Sequence, residues 1–475
     1  MLLTALLRAP SRWRSSGRVI SRALSSSSPV GETTTPPVGL LDDLSYRGYV
    51  QDVTTPQYLH ASLESKPQVV YVGIDPTAPA LHVGHLLPLM CLLHFHVRGH
   101  HIIPLIGGAT GLIGDPSGRT TERESAELDI TERNTQALIA RVEQFFARAL
   151  LYADDRVVLT KDRFMPIRVK NNINWHRDMT MMDFLRIVGV HVRVNTMLNK
   201  DSVRTRLESK QGISFTEFTY QLLQAYDFYH LHTQFGCSVQ IGGSDQWGNI
   251  LGGISLIHRI NSHNPDAPPA AFGLTTPLLT TATGVKFGKT AGNAIWLDPQ
   301  LTSIFNFYQY FVKSADTEVE SYLKLLTLMS WTEIDETMHS HRAQPEQRIA
   351  QRRLASELTE LIHLKPGRIN AETMTKILFE TKLTDVSAQD VIDAFKDNGC
   401  VYMVEPEQLF TVPVIKLAVK YAAARVLVLS RGLYVNNKPV AEVSFTLRET
   451  HLLDNQLVVL KAGKDKVVVL VAKNS

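Results

Sequence analysis

The chain has 475 residues, 44% of them hydrophobic and 20% charged. At about 150 residues per domain, this predicts roughly three domains with substantial apolar cores and excludes a mainly disordered chain. No apolar run approaches the ~18 residues that a membrane-spanning helix needs, so no membrane partner is expected.

The formal net charge of +3 is unevenly placed. Residues 1–30 carry five arginines (Arg8, Arg12, Arg14, Arg18, Arg22) among many serines, and the first acid is Glu32. An Arg-rich, Ser-rich, acid-free stretch with Leu2, Leu3, Leu6, Leu7 and Trp13 predicts a mitochondrial transit peptide, read as an amphipathic helix during import. Residues 31–40, with two prolines and several threonines, read as a linker. Taking those five arginines from the 49 basic residues leaves 44 against 46 acids, so the positive total reports import rather than affinity for RNA.

Globular sequence begins near Leu41. Residues 67–73 (PQVVYVG) predict a short strand, followed by the turn residues Asp75, Pro76 and Thr77 and a helix from about Leu81. A second apolar run at 102–106 ends in the glycine-rich GGATGLIGDPSG. A long helix follows, with Leu138, Val142, Phe145 and Phe146 at helical spacing, and then a third apolar run at 157–159. Residues 238–242 (SVQIG) repeat the order of strand, glycine turn and helix. Strands alternating with helices predict an α/β, Rossmann-like parallel sheet, in which ligands bind beyond the carboxyl ends of the strands. After Ile304 the pattern is helical alone, with Ala350, Leu354, Leu358, Leu361 and Ile362 on one stripe. Beyond about Val404 come a short helix over 415–429 and compact strands at 432–435, 457–460 and 467–471.

Cys91, Cys237 and Cys400 are widely spaced with no C-x-x-C pair, which indicates neither a zinc ribbon nor a disulfide framework. His94, His96, His100 and His101 raise the thought of a metal, but they run into an apolar strand with no matching ligand motif, and no structural metal is expected.

Two short constellations carry chemistry. His82 and His85, in LHVGH, are three apart and share a face at a helix start, where unpaired N–H groups favour an anion. Gly84 between them lets a flat ring approach the backbone. Lys286 and Lys289, in KFGKT, place two ammonium groups around a glycine, suited to a loop closing over phosphates. A P-loop is the alternative there, but Gly284 stands one residue too close to GKT.

Together HVGH and KFGKT resemble the two signatures of class I aminoacyl-tRNA synthetases. YVGIDPTAPALHVGH, GGATGLIGDPSG, FTEFTYQLLQAYDF and QIGGSDQWGNI are similar to the motifs of the tyrosyl-tRNA synthetases of bacterial and mitochondrial type, over residues from about 40 to the end. The resemblance implies four parts: 1–37 transit peptide and linker; 38–303 catalytic domain with a connecting, dimerising insert at about 165–215; 304–404 helical anticodon-binding domain; 405–475 a small α+β S4-like RNA-binding domain. It implies activation of L-tyrosine by ATP, with Mg2+ accompanying the nucleotide, and transfer to mitochondrial tRNA-Tyr by a homodimer in the matrix. His82, His85, Lys286, Lys289 and Thr77 would be catalytic. Tyr71 and Asp227 would hold the phenol, Asp115, Tyr220 and Gln224 the ammonium, and Gln246 would lie near the carboxylate. Gly73, Asp75, Gly84, Gly243, Asp245, Lys289 and Thr290 would meet ATP. Val72 stands where some relatives have a cysteine that reaches the ribose.

For RNA, Arg204, Arg206 and Lys210 are candidate acceptor-stem contacts, and Lys461, Lys464 and Lys466 candidates on a terminal hairpin. Ala422, Ala423, Ala424 and Val426 stand where the S4 pattern has polar and basic residues. Two other readings remain: the sister enzyme for tryptophan, and a catalytically silent synthetase-like RNA-binding protein.

Overall fold

The computed structural model describes residues 39–117, 127–157, 166–208, 212–261, 264, 268–279, 289–290, 293–380, 386–396, 399–422, 432–463 and 466–473. The expected transit peptide, residues 158–159 of the third apolar run, Lys210, Lys286, residues 423–426 and Lys464 lie outside them.

Six strands form the first sheet: β1 (Asp52–Val53), β2 (Val69–Ile74), β3 (His101–Ile106), β4 (Lys170–Asn171), β5 (Cys237–Gly243) and β6 (Phe272–Thr276). Their order is β1-β6-β5-β2-β3-β4, parallel except at the β1 edge. The chain runs outward from β2 through β3 to β4 and then returns to lay β5 on the other side of β2. That reversal opens a crevice at the carboxyl ends of β2 and β5. Three of these strands, β1, β4 and β6, were not foreseen; β1 and β4 are pairs of residues that carry no periodic signal, and β6 (FGLTT) is too short and too poor in apolar residues to stand out.

Helices cover the sheet as its apolar strands require. The 86–97 helix (LLPLMCLLHFHV) is apolar all round and buries every residue but Pro88. The histidine cluster belongs to this packing. His94 and His100 are buried, and His100 Nδ1 accepts from the Gln68 N–H at 3.1 Å. Burial lowers the His100 imidazole to about 4. No group of three or more His, Cys, Asp or Glu side chains is placed to hold a metal among the described residues.

From Ile304 the chain is helical, and the core of the first sheet continues into this region without a break through Phe307, Leu323, Leu354, Leu358 and Leu361. The long helix Ile349–Phe379 kinks at Leu364 (φ 63°), two residues before Pro366. Pro366 has no N–H for the carbonyl of Ile362 four residues back. Arg148 Nη1, from the 128–154 helix, donates to that carbonyl instead at 2.5 Å.

The second sheet, β9 (Val401–Val404), β10 (Leu433–Val435), β11 (Lys438–Pro439), β12 (Leu457–Ala462) and β13 (Lys466–Ala472), has the order β11-β10-β12-β13-β9. β9 pairs in parallel with β13, so this sheet begins within the segment expected to be purely helical up to 404. Four residues at one edge are too short a run to separate from a helix end by pattern alone. Alternate side chains of β12 face two cores: Val458 and Leu460 pack with Leu417 of the 414–422 helix, and Leu457 and Val459 with Val391 and Phe395 of the 388–395 helix. Asn436 and Asn437 both have positive φ (47° and 62°), the geometry that a two-residue hairpin loop demands.

Candidate active site

Secondary structure delivers the site residues to the crevice. Helix 215–235 is started by Ser214, whose hydroxyl accepts from the Glu217 N–H at 3.3 Å, and is ended by Gly236 at φ 67°. Between these stops Tyr220, Gln224 and Asp227 fall at i, i+4 and i+7 on one face. All three line a cavity of about 280 Å³ at the ends of β2 and β5, as do Tyr71, Gly73, Asp75, Thr77, His85, Asp115, Gly243 and Gln246. Eleven of the residues singled out in four separate motifs thus meet in one space.

At the inner end of the cavity Tyr71 is buried, and its hydroxyl has no hydrogen-bond partner among the described residues. Burial, then the charge of Asp227, raises its pKa well above the ordinary value, so it stays a protonated donor. Asp227 is buried as well and accepts from Trp175 Nε1 (2.8 Å), His176 Nε2 (2.7 Å) and Asn172 Nδ2 (3.0 Å). None of these three donors was anticipated. Trp175 and His176 lie in the short 173–176 helix and Asn172 just before it, and nothing in their spacing to Asp227 marks them.

A second cluster adjoins it. The Tyr220 hydroxyl donates to Asp75 Oδ2 at 2.9 Å and Thr110 Oγ1 to Asp75 Oδ1 at 2.7 Å, so Asp75, expected beside the nucleotide, is tied to Tyr220, expected beside the amino acid. Gly107 is needed for this: a Cβ there would lie 2.1 Å from Asp75 Oδ1. Burial, followed by Asp75 and Asp115, holds the Tyr220 phenol well above its ordinary pKa. Asp115 accepts from Gln246 Nε2 (2.7 Å) and the Ser117 N–H (2.9 Å), while Gln246 also donates to Asp245 at 3.1 Å. Asn249, three residues beyond Gln246, donates to Gln224 Oε1 at 3.1 Å. Lys200, also unmarked by any motif, lies along Gly248 and Gly252; burial lowers its ammonium to about 8, against an opposing pull from Asp115.

The outer end is different. His82 caps the 3-10 turn Val83–His85, and the two imidazole centroids are 4.0 Å apart. His85 Nδ1 accepts from the His82 N–H at 3.1 Å, and His82 Nδ1 accepts from the Gly84 N–H at 3.0 Å. Accepting at Nδ1 places the proton of each ring on Nε2. Burial, then His82, lowers His85 to about 3, so it is a neutral donor at physiological pH. Gly73 is exposed, and a Cβ there would meet nothing within 4 Å.

Residues 289–290 and 293–294 form a small antiparallel pair, β7 (Lys289–Thr290) and β8 (Asn293–Ala294). The chain then runs beside the histidines: the Val83 N–H donates to Ile295 O and the Leu297 N–H to Leu81 O, both at 2.9 Å. The HVGH segment is therefore bound in backbone pairing to residues 295–297, which follow the KFGKT segment in the chain.

Two RNA candidates do not fit their expected role. Arg206 is fully buried, with Nη2 2.8 Å from Glu217 and Nε and Nη2 donating to Gly212 O at 3.2 and 3.0 Å; it braces the insert against helix 215–235. Lys461 Nζ donates to the Leu378 carbonyl and ties the hairpin to the 349–379 helix. Both losses have the same cause: a basic side chain found an internal acceptor that sequence spacing does not reveal. Arg204 is exposed and Lys466 is exposed.

Residues 63–380 match the model of the family described as tRNA synthetases class I (W and Y). The chain is 39% identical over 443 residues to the mitochondrial tyrosine–tRNA ligase of Saccharomyces cerevisiae, covering 91% of this chain and 88% of that protein. It is 40% identical over 437 residues to tyrosine–tRNA ligase 1 of Bacillus subtilis, covering 91% and 99%. Among solved structures, a C-terminally truncated mitochondrial tyrosyl-tRNA synthetase of Aspergillus nidulans superposes with a TM-score of 0.67 at 37% identity, covering 72% of this chain and 95% of that one.

Proposed function

The chain belongs to the class I tRNA synthetases of the tryptophan and tyrosine type, and from that premise we propose that it is a mitochondrial tyrosine–tRNA ligase working in the matrix. The observation that carries the tyrosine reading is the buried Tyr71 hydroxyl, without a partner, lining the same cavity as Asp227. An orphaned buried hydroxyl costs about 1–3 kcal/mol, and the phenol of a bound tyrosine satisfies it and the carboxylate together. Phenylalanine leaves both unmet, and tryptophan offers its N–H at a different place on a wider ring system.

In the first step the tyrosine carboxylate attacks the α-phosphorus of ATP in line, and pyrophosphate leaves. Tyr71 and Asp227 hold the phenol; Asp115, Tyr220 and Gln224 hold the ammonium; Gln246 sits by the reacting carboxylate. Thr77, the Nε2–H groups of His82 and His85, and the ammonium groups of Lys286 and Lys289 meet the phosphates, where negative charge moves toward the leaving group. Gly73, Asp75, Gly84, Gly243, Asp245 and Thr290 form the nucleotide side, and Mg2+ enters with ATP as part of that substrate. In the second step a terminal ribose hydroxyl of the tRNA attacks the tyrosyl carbonyl and AMP departs. No side chain becomes covalently attached, so catalysis here is positioning and charge placement.

The helices from 304 are assigned to the anticodon arm and the second sheet to further RNA contact. Homodimerisation is supported by Met181, Met182, Leu185, Ile187, Val190 and Val194, all exposed within fourteen residues of the insert; such a patch marks a protein interface. The test of the whole reading is amino-acid-dependent exchange of pyrophosphate into ATP with each of the twenty amino acids. Exchange with tyrosine alone is expected; exchange with tryptophan instead, or with none, sinks it.

A further inference from the structure

The carboxylate of Asp227 is held by more than a tyrosine pocket needs for binding alone. An ionised carboxylate offers about four acceptor positions. Trp175 Nε1 and His176 Nε2 fill Oδ1, and Asn172 Nδ2 takes one position on Oδ2, leaving a single position on Oδ2. The His176 contact is the shortest of the three at 2.7 Å, and its side chain is only 8% exposed. Its ring sits among Trp175 and Tyr226, with centroids 6.4 and 5.6 Å away, so the imidazole has little room to turn.

We infer that His176 is a positioning residue for amino-acid selection: it holds Asp227 so that the carboxylate's last acceptor position is presented to a para-hydroxyl. This rests on the tyrosine reading above and deepens it. The torsion that spins a carboxylate about its own axis is soft, so side-chain packing alone does not fix which oxygen faces a ligand. A second N–H on Oδ1 stiffens it, because rotation then breaks three charge-assisted bonds, those of Trp175, His176 and Asn172, where without His176 it would break two. Removing His176 therefore leaves Asp227 buried and present but less firmly aimed, and only a substrate that hydrogen-bonds to it feels the change.

His176→Phe keeps a ring and deletes the donor; His176→Leu does the same with less bulk, should the phenyl group overpack; His176→Gln returns an N–H near the place of Nε2. In pyrophosphate exchange, His176→Phe or His176→Leu is expected to raise the KM for tyrosine about 10- to 100-fold, the worth of a hydrogen bond to a charged group. The kcat and the KM for ATP should stay within about twofold, since only binding of the phenol is weakened. The rate with phenylalanine should barely change, so the preference for tyrosine over phenylalanine falls, and His176→Gln should recover most of it. An unchanged preference in the Phe and Leu variants, whether both rates hold or both fall together, overturns the role of His176. Wild-type protein separates the two claims: no tyrosine exchange there defeats the tyrosine reading itself, whereas normal wild-type exchange with an unchanged preference in the variants defeats only the inference.

Discussion

The two ends of the cavity are built on opposite plans. At the end proposed for the amino acid the carboxylates are already held: buried Asp227 accepts from Asn172, Trp175 and His176, buried Asp115 from Ser117 and Gln246, and half-buried Asp75 from Thr110 and Tyr220. At the end proposed for the phosphates the described groups include a neutral donor and open backbone, with His85 uncharged and nothing within 4 Å of a Cβ placed on Gly73. The difference teaches where each kind of work is done. Choosing among amino acids requires groups that are costly to leave unsatisfied, so they are fixed in advance. Stabilising a phosphate that sheds pyrophosphate requires donors whose benefit grows as charge develops, and the neutral imidazole of His85 is suited to that.

The largest effect should come from the phosphate end. His85→Ala and Lys289→Ala are each expected to lower tyrosyl-adenylate formation by about 10²- to 10³-fold, the usual loss for one transition-state donor. Tyrosine affinity, followed by equilibrium dialysis, should hardly move; a large loss of affinity would show that the two ends are not separable. Next in size, Asp227→Ala should cost about 10²-fold in kcat/KM for tyrosine while leaving the phenylalanine rate nearly unchanged. If tyrosine is still preferred as before, the fixed end does not select by the phenol.

Smaller still is a change outside the cavity. Arg148→Ala leaves the Ile362 carbonyl without its substitute donor at the Pro366 kink and should lower stability by about 1–3 kcal/mol in urea melts. Exchange kinetics at 25 °C should be unaffected; a changed KM would mean that the kink reaches the site.

The last is a dependence of stability on pH. His85 is lowered to about 3 and His100 and His363 to about 4, each chiefly by burial. All three are neutral when folded, and below pH 6.5 only the unfolded chain takes up their protons. Their contribution to stability is therefore complete above about pH 6.5 and is lost as pH falls toward 4, and toward 3 for His85. Melts between pH 7.5 and 5 should show that decline, and His85→Gln should make it shallower. A stability that rises on acidification would refute the neutral assignment at the phosphate end.

Much of the site was legible because its parts are local. Tyr220, Gln224 and Asp227 share a helix face by spacing alone, and a Gln and an Asp on such a face announce a pocket rather than a core. HVGH and KFGKT carry their chemistry in four and five residues. The histidines of 94–101 were equally legible as packing, since they stand in an apolar run with no ligand partners. What the sequence by itself determined, then, is which segments form strands and helices around 67–106 and 215–243, which side chains cluster along each, and the family whose motifs they match.

Only the tertiary structure decided which distant groups face one another. Asn172, Trp175 and His176 lie more than fifty residues before the carboxylate they hold. Arg206 and Lys461 look like surface cations until Glu217 and the Leu378 carbonyl are brought to them. β9 reads as the end of a helical region until β13 lies beside it. The physical reason is common to all of these. Periodicity reports which face of an element is apolar, but a hydrogen bond between elements depends on how those faces dock, and no short-range pattern encodes that.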